Sequence, residues 1–90
     1  MQKTEYTLFF TDGTSQKLSP LMVDNVMAEK ELVTRGSTLK NNSIEFMSIV
    51  CWKVCRRIDR DNTPLDFEEF LTSVADISAE VVDVDPFPSR

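Results

Sequence analysis

Between Thr4 and Leu18 the chain alternates. Tyr6, Leu8 and Phe10 are separated by Glu5, Thr7 and Phe9, the two-residue period of a strand that buries one face. Phe9 interrupts the polar face, so both faces are expected to be partly covered. Asp12-Gly13 then supplies a turn in which glycine takes the positive φ of a tight hairpin. Residues 4–18 thus predict an antiparallel hairpin whose return strand, from about Thr14 to Leu18, is short and polar.

At Ser19-Pro20 the period changes. Serine suits an N-cap and proline the first helical position, which predicts a helix over about 20–35. Met22, Val23, Val26, Met27 and Val33 fall broadly on one side of it, with Asp24, Asn25, Glu29 and Glu31 elsewhere, and Gly36 is its stop. A second helix, 43–58, opens with a capping box of Asn42 and Glu45. Its apolar positions Ile44, Met47, Cys51, Val54, Cys55 and Ile58 recur at helical spacing, and Phe46, Ile49, Val50 and Trp52 widen the stripe. A helix apolar on so many sides must be covered by the rest of the fold or by another subunit. A third helix, about 64–77, is expected to be capped by Thr63, opened by Pro64, and striped by Phe67, Phe70, Leu71 and Val74.

Residues 78–90 alternate valine with acid and break at Pro86 and Pro88. They read as an acidic extended tail in which Val82 and Val84 could add an edge strand and Phe87 could dock onto a partner. The fold class is α+β: one domain over 1–77, with an N-terminal antiparallel β-hairpin followed by three α-helices around the central apolar helix.

Charge sharpens this picture. The net charge is −5, and nine of the fifteen acids but only two of the ten basic residues follow Ile58. Such a chain is a poor ligand for nucleic acid, where affinity comes from neutralising phosphates. The cluster Lys53, Arg56, Arg57 and Arg60 beside Trp52 is the one exception in the pattern, and it also suits the solvated C-terminal end of a helix. No apolar run approaches a membrane span and no secretory pattern follows Met1, which points to a cytoplasm. Cys51 and Cys55 lie four apart on one helix face, where a mutual bridge would strain the backbone, so both are read as buried thiols. Without a histidine they lack further zinc ligands.

The string DRDNTPLDFEEFL at 59–71 resembles a calcium loop running into its exit helix. Counting removes the likeness. With Asp59 first, the sixth position is Pro64 where the loop needs glycine, and the twelfth is Phe70, which offers no oxygen. With Glu69 twelfth, the first and third positions become Ile58 and Arg60. No metal site, no cofactor and no catalytic group are expected: there is no histidine, no glycine-rich phosphate loop, and no nucleophile beside a recognisable base.

The order of these features is similar to that of the small tail assembly chaperones of long-tailed bacteriophages and prophages. Phe9-Phe10-Thr11-Asp12-Gly13-Thr14, the segment Trp52 through Arg57, and Leu65 through Ile77 with the acidic tail carry the resemblance. It implies a non-enzymatic assembly protein in the host bacterial cytoplasm that binds nascent tape-measure or tail-tube protein and releases it as the tail assembles. A small structural tail or head-tail joining protein is the alternative within that setting; outside it stand a degenerate EF-hand-like module and an acidic mimic of DNA. Self-association is expected as well. Candidate partner contacts are Met22, Met27, Trp52 and Phe87, since methionine adapts to varied apolar partners. Met22, Met27 and Met47 equally suit the filling of a core, and the acidic arm suits keeping an aggregation-prone client soluble.

Overall fold

The computed structural model describes residues 2–37 and 43–83 and shows an α+β arrangement of one antiparallel sheet with helices on one of its faces. Strand β1 (Gln2–Phe10) and strand β2 (Ser15–Leu18) form the hairpin anticipated from the alternation. The turn closes through Phe10 N–H donating to the Thr14 carbonyl, 2.8 Å, with Gly13 at a φ of 92°. The Asp12 carboxylate accepts from both the backbone N–H and the hydroxyl of Thr14, which fixes the bend from within.

Helix α1 (Met22–Thr34) and helix α2 (Ser43–Ile58) follow, close to their predicted bounds. Asn42 and Lys40 lie outside the described residues, so the capping box at Asn42 does too. Leu21, rather than Ser19, is the N-cap of α1, and the Asp24 carboxylate accepts its backbone N–H at 2.8 Å. Gly36, at a φ of 78°, ends α1. Its N–H reaches the Val33 carbonyl and that of Ser37 the Leu32 carbonyl, the paired bonds of a glycine-terminated helix.

The third helix is much shorter than the pattern predicted. Helix α3 spans only Phe67–Thr72, and a ten-residue strand, β3 (Val74–Asp83), takes the place of the helix end and of the first part of the supposed tail, whose remainder lies outside the described residues. Its N-cap is Asp66, whose side chain accepts from Glu69 N–H, and not Thr63. Thr63 instead closes a single 3-10 turn, donating its hydroxyl to the Asp59 and Cys55 carbonyls. At the other end the hydroxyls of Thr72 and Ser73 bond back to the Glu69 and Phe70 carbonyls, an alternative to helical continuation. The chain then pairs with β1. Tertiary pairing overrides the helical spacing of Phe70 and Val74, and the β-branched Val74, Ile77, Val81 and Val82 suit the strand.

The sheet order is β2-β1-β3, with β1 central and both neighbours antiparallel. The cross-strand pairs Tyr6–Leu18 and Leu8–Gln16 on one side, and Tyr6–Ala79, Leu8–Ile77 and Thr4–Val81 on the other, set the helix-facing surface. Tyr6, Leu8 and Leu18 are buried there against Ala28, Leu32, Ile49, Val50, Val54, Phe67 and Phe70. Every described residue of α2 from Ser48 to Trp52, together with Val54 and Cys55, is buried. Phe9 points to the opposite face with Thr7 and Glu5; Phe9 is exposed there, while Thr7 and Glu5 are half-buried.

The register makes a sharp prediction. Leu8 is 0% exposed, and Leu8→Ala should cost about 2–5 kcal/mol of unfolding free energy. Phe9→Ala, one residue along on the opposite face, should cost distinctly less in the same urea titration. The reverse order would mean that the strand presents its other face to the helices.

Candidate functional site

Helix α1 lies against α2 through a narrow inward stripe of Asp24, Ala28 and Leu32, each four residues apart. Asp24 is 3% exposed, and its carboxylate faces Arg57 of α2: Nη2 at 2.8 Å and Nε at 3.0 Å from its two oxygens. Two turns of α1 further, Glu31 receives Lys53 at 3.5 Å and Arg35 at 2.9 Å. Arg35 continues to Glu68 of α3 and stacks on the Phe67 ring, 4.8 Å from its centre. Because Asp24 meets the end of α2 and Glu31 its middle, the two helices run antiparallel.

This seam rolls α1 the opposite way from its apolar pattern. Met22, Val23, Val26, Met27 and Val33 all point outward and are exposed, beside an exposed Leu21 at the N-cap. Met22 is 79% and Met27 43% exposed, so neither fills the core, whereas Met47 packs against it. The outward surface is a stripe of Met22, Val26 and Val33 flanked by Val23 and Met27, with Glu29 and Lys30 between. Neither of those two charges has an ion pair among the described residues.

Trp52, by contrast, is no free contact. It is 6% exposed, its Nε1–H donates to the Pro64 carbonyl at 2.9 Å, its ring centre lies 5.3 Å from that of Phe67, and Lys53 covers it at 4.5 Å. Phe87 lies outside the described residues. Three side chains of the basic cluster are likewise engaged within the fold. Lys53 serves Glu31, Arg57 serves Asp24, and Arg56 donates to the Arg60 and Thr63 carbonyls at 3.0 and 2.8 Å.

In the 59–71 segment Asp59 accepts from Asn62, Asp66 caps α3 and Glu68 pairs with Arg35. No group of three or more His, Cys, Asp or Glu side chains converges as metal ligands among the described residues. Burial pushes the Cys51 thiol up to about 12 and, with the neighbouring Asp59 charge, Cys55 up to about 11. Such thiols carry almost no thiolate at neutral pH and are poor nucleophiles. No helix among the described residues is long and apolar enough to cross a membrane.

No protein-family model matches the chain, and neither a curated protein nor a solved structure matches it. The outward face of α1 is therefore the functional candidate on physical grounds alone. The missed signal was Asp24 itself, a carboxylate in phase with Ala28 and Leu32 and opposite in sequence to the Arg56-Arg57 end of α2.

Asp24 is the place to perturb. Burial alone would raise its carboxyl, but the Arg57 hydrogen bonds, the Leu21 N–H and the Arg57 charge outweigh burial and hold it below the usual range. A group depressed in the folded state stabilises above its ordinary value and loses that contribution as pH falls through the folded one. Asp24→Ala should cost about 1–3 kcal/mol near neutral pH. The stability gap between wild type and Asp24→Asn should shrink as urea titrations move from neutral pH to below the ordinary carboxylate range. Asp12, also held down by its Thr14 hydrogen bonds, is common to both proteins and cancels. A gap independent of pH would show that the pairing with Arg57 is not what holds α1 in place.

Proposed function

We propose that this chain is a non-catalytic assembly factor whose α1 face receives an apolar segment of a client protein. One observation carries this reading: five aliphatic and thioether side chains of one helix face solvent while two of its three carboxylates, Asp24 and Glu31, are turned to the seam and paired. An isolated exposed valine needs no explanation, but a contiguous stripe rimmed by charge marks an interaction surface. Methionines at its N-terminal end let the surface repack around clients of differing shape. Glu29 and Lys30 supply both signs of charge at its centre, which orients a client without selecting a strongly charged one.

The sequence resemblance to small tail assembly chaperones gives this surface its biological setting. In that setting the clients are the tape-measure or tail-tube protein of a long-tailed phage, held through their apolar stretches until the tail forms. An amphipathic client helix would pack side by side with α1, laying its apolar positions along Met22, Val26 and Val33. The buried thiols and internally paired carboxylates fit a role without bond chemistry.

Co-expression of the chain with tape-measure and tail-tube protein, followed by affinity capture, tests the reading. Wild type should retain one of them in the soluble fraction. Val26→Glu, at an exposed position that leaves the α1–α2 seam intact, should lower capture at least about tenfold with an unchanged melting temperature. Equal capture by Val26→Glu, or none by the wild type, would refute it.

A further inference from the structure

Strand β3 is the longest strand, yet only one of its sides is used. The sheet order leaves it at an edge, with no partner beyond it among the described residues. Backbone alternation identifies which groups are left over. Phe10 N–H bonds toward β2, and Thr11 N–H bonds toward Ser73. In an antiparallel ladder each residue points both its N–H and its C=O to the same side. Odd-numbered residues of β1 therefore serve β3, and their partners Asp76, Ser78, Glu80 and Val82 point back. Ile77, Ala79, Val81 and Asp83 point their backbone groups outward. Ile77 confirms the assignment, because its N–H is met by the Asp76 carboxylate at 2.8 Å and not by β1.

The same residues turn their side chains to the helix face, since they oppose Leu8, Tyr6 and Thr4. The helices cover only part of that face: Ile77 is half-buried, but Ala79 is exposed and Val81 is 62% exposed. Next to Ile77 an apolar groove of about 270 Å³ opens between α2, α3 and β3, lined by Ile44, Met47, Leu71, Val74 and Ile77. An edge of this kind, with aliphatic side chains and no lysine or proline along it, is a template for another strand.

We propose that two copies of this chain join through β3, antiparallel about a two-fold axis at Ala79, into one six-stranded sheet. Length and charge together select that register: centring on Ile77 or Val81 leaves more of β3 unpaired than centring on Ala79 does, and the two registers beside Ala79 oppose like charges. Antiparallel pairing requires outward-pointing residues to oppose each other, which leaves registers centred on whole residues. Centring on Ser78 sets Asp76 directly against Glu80 of the second copy, and centring on Glu80 sets it against itself; both oppose like charges. Centring on Ala79 sets Glu80 against Ser78 and Asp76 against Val82. On the helix face it sets Val81 against Ile77, so each copy's bare valine reaches the mouth of the other copy's groove. The Ile77 N–H exchanges the Asp76 carboxylate for the Val81 carbonyl of the second copy. The surface shares no residue with the α1 face, so this pairing stands or falls independently of client binding.

Sedimentation of the full chain over a concentration series is the test, read beside amide hydrogen exchange. A concentration-dependent dimer is expected, with the Ala79 and Val81 amides gaining protection as it forms while Ser78 and Glu80 are protected throughout. Val81→Lys, at a solvent-exposed site, should weaken dimerisation at least about tenfold at an unchanged melting temperature. Ala79→Cys should form an intermolecular disulfide in air, since directly opposed residues lie within bridging distance and both native thiols are buried. A monomer at all concentrations with no Ala79→Cys bridge would overturn the proposal. So would a dimer weakened by Val26→Glu and indifferent to Val81→Lys, which would place the contact on α1. Capture of a client strand that Val81→Lys abolishes, from a chain that stays monomeric, would assign the edge to the client instead.

Discussion

The pairing of Asp24 with Arg57 decides how this protein meets its surroundings. A helix of mixed character can lie on a neighbour in more than one roll, and α1 has apolar residues on most sides. Its hydrophobic pattern alone would turn Met22, Val26 and Val33 inward. An ionised carboxylate placed in phase with Ala28 and Leu32 makes the other roll possible only if a cation is waiting, and α2 brings Arg57 to that point. Burying a carboxylate without such a partner would be costly. With it, the carboxylate accepts a forked guanidinium and the N–H that opens α1, so one side chain joins helix capping to helix packing. The apolar face outside is a consequence of the polar contact inside.

The second constraint is the central strand. β1 is hydrogen-bonded on both sides, to a neighbour a few residues away and to one from the far end of the described chain. The first contact is local, and the second closes a long loop that carries both α1 and α2. α2 fills the space between, buried across Ser48–Trp52 because the sheet, α1 and α3 each take a side of it. The cysteines at the heart of this helix are packing residues whose burial suppresses their thiolates.

Where local chemistry decided structure, the sequence was readable. Asp12-Gly13 and Gly36 ended their elements as glycine does, the period-two run from Tyr6 to Phe10 gave the right buried face, and the α2 bounds followed from its continuous apolar spacing. Where a distant partner decided, it was not. Phe67, Phe70, Leu71 and Val74 have helical spacing, yet the free side of β1 claims Val74 onward, and that demand is written in residues 2–10 rather than in 74–83. Thr63-Pro64 had the spelling of a helix start but spends its hydroxyl closing the preceding turn. The exposed apolar face of α1 was half visible. Met22 and Met27 were named as contacts and lie exposed, but Trp52, chosen for its size, is held by Pro64, Phe67 and Lys53, and size is what core positions reward too.

The two exposed apolar features differ in what they can hold, and the difference has a functional logic. The α1 face offers side chains with no free backbone groups, so what it gains from a partner is apolar burial, tolerant of sequence and of register. The β3 edge offers backbone hydrogen bonds at fixed spacing, which demand an extended partner in one register. A copy of the same strand meets that demand by symmetry, and closing the edge removes a site at which unfolded clients would otherwise template aggregation. Such joining would work against a net charge of −5 on each copy, so salt should favour it by screening. Its return would be two α1 faces on one sheet. A client with repeated apolar segments would then engage both, and the second contact would form at an effective concentration set by the spacing of the first. Weak single contacts that release readily could still hold a long client as an ensemble, which is what an assembly factor that must let go requires.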